Sequence, residues 1–166
     1  MSNYCASLGL MAKTTGRFFM DKAEPRTWRA LNSFGHAVSE AAEQAGVDRG
    51  LLELMYVRIS QLNGCVYCLD MHSRAAVAAG IPQNLLAFLP AWRDTAAFTD
   101  VERAALTIGE TATELPAVDR RKANLAWARE ILGDAAFGAI EWAAVAMNAY
   151  NRVSILSEHP AKNPRP

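Results

Sequence analysis

The chain has 166 residues, of which 51% are hydrophobic and 20% are charged, and its 17 basic residues balance 17 acidic ones. This length fits one domain with a hydrophobic core, and the composition excludes a disordered chain. The zero net charge argues against nucleic acid or an anionic membrane surface as a partner, and no apolar run approaches the ~18 residues of a membrane span. We therefore expect a soluble, cytoplasmic protein.

Turn and cap signals divide the first half of the chain into helices, and no segment has the pattern of a strand. Pro25 suits the first position of a helix and Gly46 suits its end. Asp48 can cap the next helix, which Asn63-Gly64 breaks. The predicted helices run from Pro25 to Gly46, from Asp48 to about Leu62, from near Cys65 to Gly80, and through Leu85 and Leu86 to a stop at Pro90.

The second half begins with a capping box, in which the side chains of Thr99 and Glu102 can satisfy free amide groups reciprocally. The predicted helices run from Thr99 to Pro116, from Arg120 to Leu132 and from Asp134 to about Leu156, with Gly133 at the last junction. The tail, residues 157–166, is polar and proline-rich, and we expect it to be flexible and to pack poorly. The sequence thus predicts one all-α domain over residues 1–166, a compact helical bundle.

The last predicted helix is apolar on most of its sides. Its few polar interruptions are Glu141, Asn148, Asn151 and Arg152. A helix without a wet face lies at the centre of a core or in a subunit interface. We favour a homo-oligomer, and a purely internal helix is the alternative.

The stretch LNGCVYCLDMH, residues 62–72, places Cys65, Cys68 and His72 close together. It can be a redox dithiol, a metal site, or a pair of core cysteines that happen to be neighbours. A structural zinc site needs four ligands, so His36, Cys5 or Glu53 would have to complete the three local ones. We favour the redox dithiol and expect no cofactor and no bound metal.

Helical geometry places both thiols and the imidazole of this stretch on one face. At 100° per residue, Cys65, Cys68 and His72 fall within an arc of about 120° that also holds several alanines. Cys65 lies at the first turn, where free amides and the helix dipole favour a thiolate. His72 follows Cys68 by four residues, so its ring can reach the second sulfur directly or through one water.

A glutamate on the preceding predicted helix is the remaining candidate. Glu53 lies opposite the main apolar face, beside Tyr56 and Val57, so we expect it to be partly buried. Burial would raise its pKa and suit it to proton transfer near neutral pH. The alternative is a solvated surface charge.

These residues carry a resemblance to a known family. The run ELMYVRISQLNGCVYCLDMHSRAAVAAG resembles the alkylhydroperoxidase AhpD core of the carboxymuconolactone decarboxylase-like superfamily, in which a glutamate precedes the CxxC by twelve residues and a histidine follows it by four. FTDVERAALTIGE and NAYNRVSI also resemble the family, so the likeness covers about residues 25–156. Residues 1–24 would then form an N-terminal arm.

The resemblance implies a thiol-dependent peroxidase on an AhpD-like all-α fold, assembled as a trimer or hexamer. Cys68 would attack a hydroperoxide, Cys65 would resolve the sulfenic acid as a disulfide, and Glu53 and His72 would relay the proton. A protein or small-molecule dithiol would restore the thiols. The dipole argument by itself favours Cys65 as the thiolate, so the order of attack follows from the resemblance.

One departure from the family leaves a second function open. AhpD itself carries a histidine directly before the second cysteine, where this chain has Tyr67. The alternative function is a redox adaptor or sensor that exchanges disulfides with a protein partner and turns over little peroxide. We interpret Cys5 as an incidental thiol, His36 and His159 as ordinary histidines, and Arg58 as part of a structural ion pair.

Overall fold

The computed structural model describes residues 16–162, and Cys5 lies outside that range. Within it the chain is all-α, as predicted, and contains no strand. Seven α-helices and one 3-10 helix follow one another along the described chain. They are α1 (Met20–Ala23), α2 (Pro25–Gln44), α3 (Arg49–Asn63), α4 (Val66–Ala78), α5 (Gln83–Phe88), the 3-10 helix (Leu89–Asp94), α6 (Asp100–Glu114) and α7 (Val118–Leu156).

The predicted caps fix most of these boundaries. The Asp48 side chain accepts a hydrogen bond from the Leu51 N–H at 3.2 Å and begins α3. Thr99 and Glu102 form the complete capping box of α6. Gly64 ends α3 with a φ of 68°, a conformation that costs glycine little because it has no Cβ. These boundaries agree with the sequence because capping is a local interaction.

Two local details differ from the sequence prediction. Pro90 does not end the helical path, because it lies at the start of the 3-10 helix Leu89–Asp94, where a proline without an N–H is tolerated. The helix after Pro116 starts at Val118, two residues before the predicted Arg120. Its predicted junction is confirmed, since Gly133 interrupts α7 with a φ of 72° and a ψ of 162°.

The third helix is the centre of the core and is covered on most of its circumference. Met55 and Ile59 pack in the cluster that includes the buried face of α7, and Leu54 and Val57 pack in a second cluster around Trp92 and neighbouring side chains. The first half of α3 is covered on both faces, and every residue from Gly50 to Met55 is buried. This placement explains why Glu53 is completely buried.

The tail was expected to pack poorly, and its first residues instead pack against the body of the protein. Ser157 is fully buried and accepts a hydrogen bond from the Met20 N–H at 3.0 Å. The His159 ring stacks on Phe19 and pairs with Asp21. The Lys162 N–H reaches Asp70 at 2.9 Å. Aromatic and ionic partners on α1 and α4 therefore hold a segment that its composition alone assigned to solvent.

Large apolar side chains remain exposed on the second half of α7 in the single chain. Trp142 is 57% exposed and Val145 is 49% exposed, while Ile140 and Met147 are buried. The predicted homo-oligomer would give these exposed side chains a partner, and it stays a prediction. No helix in the described range 16–162 has the length and apolar character needed to cross a bilayer.

Candidate active site

The cysteine pair lies where α3 ends and α4 begins. The left-handed Gly64 turns the chain, and Cys65 follows in an extended conformation as the N-cap of α4. Its sulfur accepts the backbone N–H of Cys68 at 3.4 Å. Both cysteines are free thiols, and each is only 2% exposed. The sequence therefore places the two sulfurs together because one caps the helix turn that carries the other.

The two cysteines have different pKa values because one thiol donates a hydrogen bond to the other. A hydrogen bond from the Cys68 thiol lowers the pKa of Cys65 to about 7, despite burial, and backbone N–H groups of the first helical turn act in the same direction. The same hydrogen bond, from the donor's side, raises the pKa of Cys68, and burial adds to this rise. The thiolate of the resting pair is therefore on Cys65, as the position at the helix N-terminus indicated.

Glu53 and His72 form the second half of the site. The Glu53 Oε2 lies 2.6 Å from the His72 Nδ1, and this pair joins α3 to α4. The other carboxylate oxygen, Oε1, faces the guanidinium of Arg49 one turn earlier on α3. The sequence predicted that Glu53 is partly buried, and this prediction was too low. Its side chain is fully buried between the Arg49 guanidinium and the His72 imidazole.

This pairing orients the imidazole. A carboxylate at Nδ1 holds the proton on that nitrogen and leaves Nε2 as the nitrogen that can exchange a proton with other groups. The Tyr56 ring packs against the His72 ring with centroids 5.1 Å apart. Burial raises the pKa of Tyr56 to about 12, so its hydroxyl keeps its proton near neutral pH.

A cavity of about 380 Å³ opens beside these groups. Cys68 and His72 both line it, and Cys65 does not. The remaining walls are largely aromatic and apolar, and Arg49 and His36 add polar groups. The aromatic lining residues are Trp28, Tyr56, Tyr67 and Tyr150. Of the two cysteines, Cys68 is therefore the one that a small molecule in the cavity could contact.

The last helix contributes two polar residues that sequence reasoning did not assign to the site. Ser154 lines the cavity and acts to lower the pKa of both cysteines, and the buried Asn151 acts to lower the pKa of Cys68. Asn151 was noticed only as a polar interruption of an apolar helix. A polar side chain in an apolar helix is the one signal that could have indicated the site. The sequence did not show which helix the Asn151 side chain would face.

The arginine and the two other histidines considered in the sequence lie at separate places in the structure. Arg58 is confirmed in a structural ion pair, with Nε 2.7 Å from the Glu110 Oε1. His36 lies on the cavity wall and His159 packs on Phe19. Within residues 16–162, no three His, Cys, Asp or Glu side chains are grouped so that they could hold a metal ion.

Comparison with known proteins agrees with this architecture. A 74-residue stretch is 35% identical to the uncharacterised protein YdfG of Bacillus subtilis (strain 168), and it covers 45% of this chain and 50% of YdfG. The chain thus matches half the length of that relative.

A solved structure from Agrobacterium tumefaciens superimposes with a TM-score of 0.75 at 23% identity, over 87% of this chain and 97% of that one. It is a protein of unknown function described as a candidate AhpD antioxidant defence protein. At this identity the likeness concerns the fold. Residues 25–111, which include α2, the CxxC and His72, match the sequence profile of the carboxymuconolactone decarboxylase family. Because this match covers more than half of the chain, the protein belongs to that family.

Proposed function

We propose that this protein is a thiol-dependent peroxidase that reduces hydroperoxides through a Cys65–Cys68 dithiol and disulfide cycle. The observation that carries the proposal is a cavity lined by both Cys68 and His72, a histidine whose Nδ1 is paired with a buried carboxylate. A nucleophile, a proton-transfer group and a group that orients it are thereby brought together. The fold shared with a candidate antioxidant protein is consistent with this function.

The first step places the negative charge on the sulfur that faces the cavity. In the resting pair Cys68 donates a hydrogen bond to Cys65, and complete transfer of that proton leaves a Cys68 thiolate. This thiolate attacks the outer oxygen of the hydroperoxide, so that an S–O bond forms while the O–O bond breaks. The alkoxide that leaves takes a proton relayed by His72 and Glu53 and becomes an alcohol.

The second step makes the disulfide. Cys65 gives up its proton and attacks the Cys68 sulfenic acid, forming the S–S bond and releasing the sulfenic oxygen as water. The sum of both steps converts two thiols and one hydroperoxide into one disulfide, one alcohol and one water. An external dithiol then reduces the disulfide by exchange, and it would approach Cys68, which lines the cavity, rather than Cys65, which does not.

A disulfide-exchange adaptor or sensor is the second candidate function. It is favoured by Tyr67, which lines the cavity at the position where AhpD carries a histidine. The lowered pKa of Cys65, about 7, keeps one thiolate in the pair near neutral pH. Transfer of the Cys68 proton to Cys65 would then supply a Cys68 thiolate for exchange with a partner disulfide, even if peroxide reduction were slow. Under this function Glu53 and His72 would matter less for the rate.

Steady-state assays with hydrogen peroxide and an organic hydroperoxide distinguish the two functions. We expect Cys68→Ser to abolish turnover and Cys65→Ser to permit one oxidation without recycling. Cys5→Ser is the matched cysteine control and should turn over like the original protein. Rapid reduction of the protein by dithiols, together with negligible peroxide consumption by the unmodified chain, would favour the adaptor.

A further inference from the structure

Asn151 has an unused hydrogen-bond donor and is bound to Asn63, two residues before Cys65. The side chain is completely buried, and its Oδ1 accepts a hydrogen bond from the Asn63 Nδ2 at 3.0 Å, which fixes the orientation of the amide. The Asn151 Nδ2 is also buried and has no hydrogen-bond partner. A buried donor without an acceptor is costly, and such groups in native proteins usually have a reason.

Ser154 follows Asn151 by three residues, so both side chains lie on one face of α7. Ser154 shares the cavity wall with Cys68. The hydrogen bond to Cys65 and burial both raise the pKa of Cys68, whereas Ser154 and Asn151 act in the opposite direction. Both side chains therefore favour a charged Cys68 sulfur, which the resting pair does not contain. Ser154 also acts to lower the pKa of Cys65, whereas Asn151 acts on Cys68.

We propose that Asn151 and Ser154 form a donor pair that stabilises the negative charge on the Cys68 sulfur when that charge develops. The proposal deepens the proposed function, because it rests on Cys68 as the attacking sulfur. In the resting pair the charge is on Cys65, so the amide nitrogen of Asn151 has no acceptor. When the Cys68 proton passes to Cys65, the Cys68 sulfur becomes an acceptor and the idle donor gains a partner.

The arrangement is comparable to an oxyanion hole. Its donors are fixed in a dry site before the charge appears, so little reorganisation is needed when the reaction begins. The amide is held by the Asn63 hydrogen bond, and Asn63 is itself bound to Asn148 at 2.9 Å. Asn148 belongs to the same network, but its amide nitrogen donates to Thr113 and to the Ala144 carbonyl oxygen.

The test measures Cys68 alone, in a Cys5→Ser, Cys65→Ser background. Serine is a good N-cap, so it can keep the helix turn that Cys65 begins. Asn151→Ala and Ser154→Ala are compared with Asn148→Ala, which disturbs the same amide network away from the sulfurs, and Ser154→Thr tests rescue by a retained hydroxyl. The readout is the rate of alkylation of Cys68 by iodoacetamide across pH, with circular dichroism to verify folding.

We expect Asn151→Ala and Ser154→Ala each to slow alkylation at neutral pH about tenfold, by raising the midpoint of the pH profile while the rate at high pH stays the same. Ser154→Thr should restore the midpoint and Asn148→Ala should leave it unchanged. The titratable groups on the cavity wall are the same in all variants. They are His36, Arg49, Tyr56, Tyr67, His72 and Tyr150.

An unchanged midpoint, or an equal shift with Asn148→Ala, would overturn the donor pair. A fall in the high-pH rate without a change of midpoint would also overturn it, because that result indicates altered access. If the shifts appear but the unmodified protein consumes no peroxide, the donor pair stands and the peroxidase proposal fails. If peroxide is turned over but the midpoints do not shift, the peroxidase proposal stands and the donor pair fails.

Discussion

The Oε2 of Glu53 lies 2.6 Å from the Nδ1 of His72, and this contact joins two consecutive helices across the turn that carries the cysteine pair. The carboxylate is fully buried, whereas the imidazole belongs to the wall of the cavity. Glu53 does not line the cavity itself, and its partners His72 and Arg49 do.

We predict that Glu53→Gln slows peroxide turnover by about 10² or more while leaving the fold intact, since general acid–base groups contribute about 10² to 10⁴ in rate. Glutamine keeps the volume, but it cannot hold the protonated imidazole or accept its proton. Steady-state kinetics of the purified variant provide the measurement. Full activity in Glu53→Gln would remove the relay from the mechanism.

Glu110→Gln is a matched control, since Glu110 is the other buried glutamate with ionic partners. Its carboxylate accepts a hydrogen bond from the Trp92 Nε1 at 2.8 Å and pairs with Arg58 and Arg93. We expect this substitution to reduce the free energy of unfolding by about 2–3 kcal/mol, because it leaves a half-buried guanidinium without its charge partner. The rate per folded molecule should not change.

The stability of the protein at acidic pH should depend on Glu110. Burial acts to raise the pKa of Glu110, but hydrogen bonds from Trp92, Arg93 and Arg58 outweigh it, so the pKa lies below its usual 4.5. The ionised carboxylate thus contributes stability that is fully present above pH 4.5 and is lost as the pH falls through the lowered pKa. Urea unfolding at several acidic pH values should show a weaker pH dependence in Glu110→Gln.

The cysteine pair should ionise in two widely separated steps. We predict one thiolate per chain with an apparent pKa of about 7, measured by ultraviolet absorbance in reduced Cys5→Ser, and a second thiol that stays protonated above its usual range. Cys68→Ala should raise the pKa of Cys65, because it removes the thiol that donates to it. Cys68→Ser should raise it less, since a hydroxyl can still donate.

Stability of the reduced protein should follow this ionisation. The pKa of Cys65 is lowered from 9.0 to about 7 by folding, so its contribution is fully present above pH 9 and is lost as the pH falls through about 7. Above pH 9 the unfolded chain ionises Cys68 as well, whereas the folded chain resists this, so net stability declines. Urea midpoints relative to a double serine variant should therefore pass through a maximum near pH 9, and a flat difference would contradict the unequal pKa values of the two cysteines.

Two helical glycines should respond in opposite directions to alanine. A Cβ on Gly109 would approach the Met55 Cγ to 2.7 Å, where α6 packs closely on α3, whereas a Cβ on Gly138 would meet nothing within 4 Å. We predict that Gly109→Ala lowers the free energy of unfolding by about 1–3 kcal/mol through overpacking. Gly138→Ala should raise it by about 0.5–1 kcal/mol, because alanine loses less backbone entropy in a helix. Chemical denaturation of both variants checks this contrast.

Much of the local structure followed from individual residues. Asp48, Thr99 with Glu102, and the turn glycines Gly64 and Gly133 marked helix ends, because each acts on backbone groups within a few positions of itself. Spacing alone placed Cys65, Cys68 and His72 on one helical face. Even Arg49 could have been assigned to Glu53, since the two are four residues apart on one helix.

Contacts between helices could not be obtained in this way. The periodicity of α3 placed Glu53 on a second face of the helix, but it did not show which helix packs against that face. It predicted partial burial, whereas the carboxylate is fully buried. The polar residues Asn151 and Ser154 lie more than eighty positions after the cysteines. In the tail, His159 stacks on Phe19 and pairs with Asp21, contacts that the composition of the tail did not indicate.

The sequence by itself determined the all-α class, most helix boundaries and the dithiol turn, because these depend on hydrogen bonds and side-chain spacing within a few residues. Only the tertiary structure decided which cysteine lines the cavity, which carboxylate pairs with His72 and which polar residue of α7 shares the cavity wall with Cys68. Those outcomes depend on how the helices cross and how closely they approach, and crossing is set by the packing of the whole core rather than by any one helix.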